Sequence, residues 1–459
     1  MEESDNVVKD AAEMILNGEV EMGRISKAVV VIDEAQDMDE NEFALIKALI
    51  SRNEDMRVIA VGDDDQNVYK FRGSDSKFLR ELIEDYGAKQ YELIENFRSC
   101  QKIVKFANKF ATLMNYRMKQ QECVAVKSEE GVVELIHHSG CGMEGAIVEQ
   151  ILSKPQKGSI CVLTSTNDEA LRVVSLLNKH NRRAKLLQSL EGFNLINLAE
   201  VKFFVNEISK ENASPVISNN VWRQAKSRLV YHFKDSECLP NCLKMLADFE
   251  AINKTKYLTD FMEFVGESKY EDFHEDEKDS VIVSTIHKAK GREFDIVYVL
   301  LNDISLWDEA EKHKLYVGFT RAKNELYIHF NNGLFGDEYG SIANYVEDEK
   351  EYEEATEAIV QLTYKDVFLD YFKERQYLIA GLYSGSNLQV DGDDLLTTYN
   401  GKLNSVARFS KAFKEKLNNL QMNGYRIDSA SVKFVVYWRP KGEDRDYAIL
   451  LPELILKKG

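Results

Sequence analysis

Residues 29–37 read VVVIDEAQD. A continuous apolar run, Ala28–Ile32, ends in two adjacent acids, Asp33 and Glu34. Such a run is expected of a strand buried on both faces of a parallel sheet. In open α/β folds, ligands bind at the C-terminal edge of the strands, where these two carboxylates would stand. One carboxylate there suits Mg2+, held directly or through water. A second suits orienting and deprotonating an attacking water. The alternative reading is a solvent-exposed acidic turn.

The flanking sequence extends the pattern. Asp39 and Glu42 have capping-box spacing, followed by Phe43, Ile46, Leu49 and Ile50 at helical intervals. Arg57–Val61 predicts the next strand. Phe78, Leu79, Leu82, Ile83 and Tyr86 predict a helix that Gly87 ends. Ser99 is expected to cap a helix carrying Ile103, Ala107, Phe110 and Met114. This β-α-β-α order implies a parallel sheet covered by helices.

A second α/β set follows. Strands are predicted at 159–164, 281–286, 295–301 and 325–330, with helices over 168–179 and about 308–322. The stretch 207–278 is polar and helical in pattern, and reads as an insertion. Trp222, Arg223, Lys226 and Arg228 there suit either DNA contact or an amphipathic packing helix. Two acidic stretches, 271–279 and 347–357, read as solvated loop or exposed helix. The tail predicts a strand at 378–382, a hairpin region over 388–408, a helix over 410–423 and strands at 431–438 and 447–456. Around its helix, Arg408, Lys411, Lys414 and Lys416 offer either phosphate contacts or a solvated face.

The chain has 459 residues, 44% of them hydrophobic and 30% charged, with a formal net charge of −18. That argues against a small basic nucleic-acid module or a polybasic membrane anchor. It leaves room for a basic groove on an acidic enzyme. Residues 364–459 hold 15 Lys/Arg against 12 Asp/Glu, so the negative balance lies in residues 1–363. Six scattered cysteines without a CxxC pair fit a reducing compartment. Cys238, Cys242 and His232 lack zinc-finger spacing. No apolar run has membrane-spanning length, and residues 1–25 have no signal-peptide core, so no membrane partner and a cytoplasmic location are expected.

Four more segments place chemistry-bearing residues next to predicted elements: AVGDDDQNVYKFRGSD (60–75), ELIENFRS (92–99), STIHKAKGREFDIV (284–297) and YVGFTRAK (316–323). Gln66 can sense a terminal phosphate. Tyr69 and Phe71 offer rings for base stacking, and Arg72 offers a cation. In this order, VVVIDEAQD and these four segments resemble motifs II, III, IV, V and VI of superfamily 1 DNA helicases of the UvrD/Rep type. The resemblance covers about residues 25–330.

The resemblance implies two RecA-like domains with ATP in the cleft between them. Asp33 would coordinate Mg2+, and Glu34 would be the catalytic base. Gln66 would couple the γ-phosphate to the DNA-contacting Tyr69, Phe71 and Arg72. Phe97 sits where the family has a tyrosine stacked on adenine, so the ring is kept and the hydroxyl is not. Arg98 and Arg321 would be arginine fingers, a role of charge stabilisation. Gly291 and Glu293 would lie at the nucleotide, with Glu293 on the ribose. Thr285, His287 and Lys290 would lie near the DNA path. The implied partner is single-stranded DNA or a DNA junction, and the implied polarity is 3′–5′.

The expected fold is thus α/β: RecA-like parallel sheets, one partial and one complete, plus a small C-terminal α+β module. Residues 1–98 would form the partial first domain and 99–330 the second, with its insertion at about 207–278. An acidic linker (331–363) would lead to the module at 364–459. That module resembles the C-terminal segment of long RecQ-annotated bacterial helicases.

Two departures from the family stand out. The phosphate loop GxxxxGK[ST] does not occur in the 459 residues, and Gly-Lys occurs only at Gly401-Lys402. Only 32 residues precede Asp33. The expectation is therefore a chain that begins inside the first domain, from a truncated or split gene, and that relies on an upstream P-loop-bearing segment or subunit. Such a chain would bind ATP poorly, and its half-sheet would expose edges and apolar faces. Ser165 also stands where relatives often carry a DNA-contacting arginine. The other expectation is a non-hydrolysing module that binds single-stranded DNA or a partner.

Overall fold

The computed structural model describes residues 2–53, 55–69, 73–154, 157–187, 193–211, 215–273, 280–422 and 424–459. The chain divides into two compact units. The first comprises Met1–Ala170 and Val281–Glu353, the second Leu171–Ser280 and Glu354–Gly459. No helix among the described residues is long and apolar enough to cross a membrane.

In the first unit, Val29–Ile32 pairs in parallel with Arg57–Ala60 as a two-stranded sheet. Strand periodicity of two sends alternate side chains to opposite faces. Ile32 and Ala60 pack on Ala35, Met38, Phe43, Phe78 and Leu82. Val29, Val31 (64% exposed), Ile59 (51%) and Val61 face outward. The strands are thus buried on one face only, not on both, because helices cover a single side. The helix Glu40–Arg52 opens on a reciprocal capping box, with Glu42 N donating to Asp39 Oδ1 (2.8 Å) and Asp39 N to Glu42 Oε2 (3.0 Å). Such a cap contributes about 1 kcal/mol. The helix Lys77–Glu84 ends before Gly87, whose φ of +65° lets Ala88 N reach back to Leu82 O.

The larger sheet of this unit is parallel, with strands in the order Asn344–Asp348, Val132–His138, Ala322–Phe330, Phe294–Leu301, Ile160–Thr164 and Val281–Thr285. The helices Gln101–Ala111 and Glu309–Phe319 lie against it through Phe106, Phe110, Leu315 and Phe319. Asp308 caps the second of these, accepting from Ala310 N at 2.9 Å.

Several expectations change. Ser99 does not cap the helix after it. Its hydroxyl donates to Ala322 O (2.6 Å) and so ties that helix to the neighbouring strand. The acidic stretch at 347–357 is not simply a solvated segment, because Asn344–Asp348 is the edge strand of the parallel sheet. The chain after it runs tight against Gly140, Gly142 and Gly145, where any Cβ would meet backbone oxygens at 2.4–2.5 Å. The other acidic stretch, 271–279, lies mostly outside the described residues; 270–273 form a 3-10 turn. The inner strand Val132–His138 is not legible in the sequence, because Glu134, His137 and His138 break its apolar pattern. His138 is accommodated by stacking on the buried His329, with Nε2 and Nδ1 2.9 Å apart.

In the second unit, the helices Ala199–Glu211, Asn219–His232, Leu239–Ile252 and Leu258–Glu267 share one core with the tail. The tail is a six-stranded antiparallel sheet in the order Glu357–Gln361, Tyr447–Lys458, Tyr425–Trp438, Asn387–Asp391, Asp394–Tyr399, Lys402–Arg408. Phe193 and Tyr270 sit 5.2 and 4.9 Å from Phe434 of that sheet. Insertion and tail therefore pack as one body. Trp222, 1% exposed, is walled in by Phe204, Phe249 and Phe261. Arg228 pairs with Glu207 and Lys226 with Glu250, and the Trp222 face of this helix packs into the core. In the tail, Arg408 pairs with Asp394, Lys414 with Asp393 and Lys416 with Asp366.

The predicted strand at 378–382 is instead the helical turn Gln376–Ile379 and the turn after it. Leu378 and Ile379 are buried by that turn, and a short apolar run does not distinguish the two states. His232 stacks on Phe203, while burial pushes the Cys238 thiol up to about 12.

Candidate active site

The site forms where the strand Val29–Ile32 runs out. Asp33 accepts the Glu34 amide at Oδ1 (2.9 Å). Glu34 adopts a left-handed conformation, φ +50° and ψ +38°, which turns the chain sharply into the 3-10 turn Ala35–Asp37. A non-glycine residue in that region is strained, and such strain gathers at functional sites. Both carboxylates reach solvent. Hard oxygen donors of this kind fit Mg2+ chemistry.

A continuous hydrogen-bond chain leads away from Glu34. Gln36 Nε2 donates to Glu34 Oε2 (2.6 Å), and Gln36 Oε1 accepts from Asp63 N (3.0 Å). Asp63 Oδ2 accepts from Gln66 Nε2 (2.8 Å), and Gln66 Oε1 accepts from Arg321 Nη2 (2.8 Å). Buried polar groups must find partners, and each amide here uses both its ends. The close approach explains Gly62, since a Cβ there would lie 2.5 Å from Gln36 Oε1. Asn67 completes the loop by donating to Gln36 O (2.8 Å).

Arg321 is 2% exposed and also donates to Val317 O (2.9 Å) and Arg292 O (3.3 Å). Burial, then the nearby Arg98, lower its pKa to about 10. Arg98 lies closer to solvent and donates through Nε to Glu293 Oε2 (2.7 Å). Lys323 holds the other Glu293 oxygen at 2.7 Å. These two hydrogen bonds hold the Glu293 carboxyl below its usual range. Phe97 presents its ring to solvent, 69% exposed, beside Arg98. Gly291, φ +79°, makes the turn that delivers Arg292 and Glu293.

Lys290 enters the acidic loop itself. It pairs with Asp37, lies 3.4 Å from Glu34 Oε2 and donates to Gln66 O (3.2 Å). Its ammonium also lies 5.1 Å from the centre of the Tyr69 ring. One lysine thus bridges the carboxylates and the expected DNA-contacting aromatic. Burial raises the Asp37 pKa even though Lys290 opposes it. Thr285 is buried at the end of Val281–Thr285, and His287 is half-buried in the turn that follows. Phe71 and Arg72 lie outside the described residues.

The sequence did not point to Arg117, Lys119 or Asp37. Arg117 grips both oxygens of the fully buried Asp65 (2.8 and 2.7 Å), and Lys119 reaches Asp63 (2.7 Å) and Asp65 (3.2 Å). Burial works against the Asp65 carboxylate, but Arg117 and Lys119 outweigh it and hold its pKa down. Asp63–Asp65 lies within the quoted AVGDDDQ segment, and a run of three acids before Gln66 is a signal that cations must be nearby. Which cations they are is decided by a loop some fifty residues later.

Two family models match the chain: the UvrD/REP helicase N-terminal domain over residues 20–87 and the UvrD-like helicase C-terminal domain over residues 197–333. Over 341 residues the chain is 22% identical to the Gabija protein GajB of Bacillus cereus (strain VD045), covering 67% of this chain and 64% of that protein. It is 24% identical to the putative ATP-dependent DNA helicase YjcD of Bacillus subtilis (strain 168), covering 65% and 51%. It is 22% identical to the ATP-dependent DNA helicase PcrA of the same strain, covering 65% and 54%. The chain thus spans 51–64% of the length of these relatives. A solved C-terminal domain of a possible DNA helicase from Lactobacillus plantarum WCFS1 aligns at 14% identity and a TM-score of 0.27, over 55% of this chain and 99% of that one.

Proposed function

We propose, for a chain that belongs to the UvrD/Rep type of superfamily 1 DNA helicases, that it is part of an ATP-dependent translocase. The complete protein moves 3′–5′ on single-stranded DNA in replication, recombination or repair. The observation that carries this reading is the hydrogen-bond chain from Glu34 through Gln36, Asp63 and Gln66 to Arg321. It links the residue that would take a proton from water to the cation that would stabilise charge on the transferred phosphoryl group.

This reading assigns each residue a role. Asp33 would hold Mg2+, which supplies charge neutralisation at the phosphates when bound. Glu34 orients and deprotonates the attacking water. Arg321 and Arg98 offer guanidinium groups to the γ-phosphate, and Gln66 aligns the first of them. Phe97 stacks on the base. Lys290, touching both the acidic loop and Tyr69, couples the nucleotide site to DNA. Tyr69, with Phe71 and Arg72, contacts the strand.

The chain alone hydrolyses ATP slowly, because none of its 459 residues forms a GxxxxGK[ST] loop to cradle the β- and γ-phosphates. One observation favours a second reading, a DNA- or partner-binding module completed by a P-loop-bearing segment. Val29, Val31, Ile59 and Val61 form an apolar face on a two-stranded sheet. A sheet of this size is marginal by itself and gains stability from added strands.

The test is DNA-stimulated ATP hydrolysis by the chain alone, with single-stranded DNA binding measured by fluorescence anisotropy. Binding with slow turnover is expected. Robust turnover abolished by Glu34→Gln would keep the enzyme and remove the need for a P-loop segment. Absence of DNA binding would overturn the translocase reading and leave the partner-binding form of the second.

A further inference from the structure

We propose that Lys119 is a positioning residue for Gln66, acting through Asp63. The proposal rests on reading Gln66 and Arg321 as the phosphate-facing pair. Lys119 belongs to none of the motif segments and lies on the loop after the helix Gln101–Ala111.

The geometry is a relay of four side chains. Lys119 Nζ sits 2.7 Å from Asp63 Oδ1, and the same oxygen accepts the Asp65 amide at 3.1 Å. With Oδ1 held twice, Asp63 turns Oδ2 to Gln66 Nε2 at 2.8 Å. That contact occupies the amide nitrogen, so the amide oxygen faces Arg321 Nη2, also at 2.8 Å. If the Gln66 amide turned over, its NH2 would face the guanidinium, donor against donor. The acceptor-only carboxylate and the donor-only guanidinium thus set the amide's direction, and Lys119 holds the Asp63 carboxylate where Gln66 meets it.

No other cation fills this place among the described residues. Arg117 is committed to both oxygens of Asp65. Lys290 reaches the Gln66 backbone oxygen but not its side chain. Lys119 is itself largely buried and lies 5.8 Å from the Tyr316 ring centre, which limits its freedom. A charge-assisted pair in such a setting holds geometry more firmly than a neutral one.

The test uses the full chain with selectively 15N-labelled glutamine. The Gln66 side-chain amide signal is assigned by its loss in Gln66→Leu. In Lys119→Met this signal should move towards free glutamine, and Lys119→Arg should restore it. Asp63→Asn should move it as well, which covers the case where Lys119→Met does not fold. An unchanged Gln66 signal in folded Lys119→Met or Asp63→Asn overturns the relay. In any preparation with DNA-stimulated hydrolysis, Lys119→Met should lower kcat about tenfold with little change in KM. A wild-type chain without DNA binding, but with the amide shift present, would remove the functional reading and leave the relay standing.

Discussion

Gln66 and Arg321 meet at 2.8 Å although 255 positions separate them in the chain. Gln66 ends a loop leading out of the two-stranded sheet, and Arg321 leads into an inner strand of the larger one. This contact joins the two halves of the site, as do the pairs Lys290–Asp37 and Arg117–Asp65.

Removing the guanidinium should unfasten them. Arg321→Met leaves Gln66 Oε1 and the oxygens of Val317 and Arg292 without this donor in a buried place. The expected loss is about 3 kcal/mol. Urea unfolding of the chain checks it, and a change below about 0.5 kcal/mol would contradict the contact's structural weight.

Gly62→Ala tests the close approach on the other side of the relay. The new Cβ would lie 2.5 Å from Gln36 Oε1 and 3.1 Å from Gln36 N. Relief requires Gln36 to give up its bonds to Glu34 or Asp63. A destabilisation of about 2 kcal/mol is expected by thermal melting. A neutral result would mean that the loop has room that the geometry denies.

Phe97→Ala separates binding from folding. The ring is 69% exposed, so stability should change by less than about 0.5 kcal/mol. Binding of a fluorescent ATP analogue should weaken by about 1–2 kcal/mol as stacking is lost, with Phe97→Tyr close to the wild type. Equal affinity in Phe97→Ala would take this residue out of the site.

Glu200 gives a pH prediction. Its carboxyl is buried in the second unit, accepts from Ser236 Oγ and leaves Oε2 without a partner among the described residues. Burial raises its pKa above the ordinary 4.5. The folded state therefore keeps a proton that the unfolded state releases. Stability is complete below pH 4.5 and falls as pH rises towards the raised value, by about 1.4 kcal/mol per unit. Glu200→Gln should melt higher than wild type at pH 7–8, with the gain shrinking towards pH 5. A constant difference across that range would mean that Glu200 is not the titrating group.

Trp222→Ala checks whether the helix Asn219–His232 is there to pack. With Phe204, Phe249 and Phe261 around the indole, the cavity should cost about 3–5 kcal/mol. A stable variant with weaker DNA affinity would argue for a nucleic-acid role instead.

Much of the site was readable from local order alone. A strand ending in Asp33-Glu34, a Gln66 after a second strand, and Arg98 and Arg321 in their own segments are features that neighbouring residues determine. The Asp39–Glu42 cap was readable for the same reason, because both partners lie within one helical turn. Other features depend on contacts between distant residues. Lys119 and Arg117 carry no local pattern, and only the return of their loop to Asp63 and Asp65 gives them meaning. The strand Val132–His138 is stabilised by neighbours on both sides and by His329, so its broken apolar pattern does not matter. The helical turn at Gln376–Ile379 and the common core of insertion and tail likewise follow from what packs against them. By itself, then, the sequence pointed to the candidate groups that lie in local segments, Asp33, Glu34, Gln66, Arg98 and Arg321, since motif spacing is local, and it left Asp37, Arg117 and Lys119 unmarked. The tertiary structure decided which of those groups touch, because hydrogen bonds and buried charges pair across the chain.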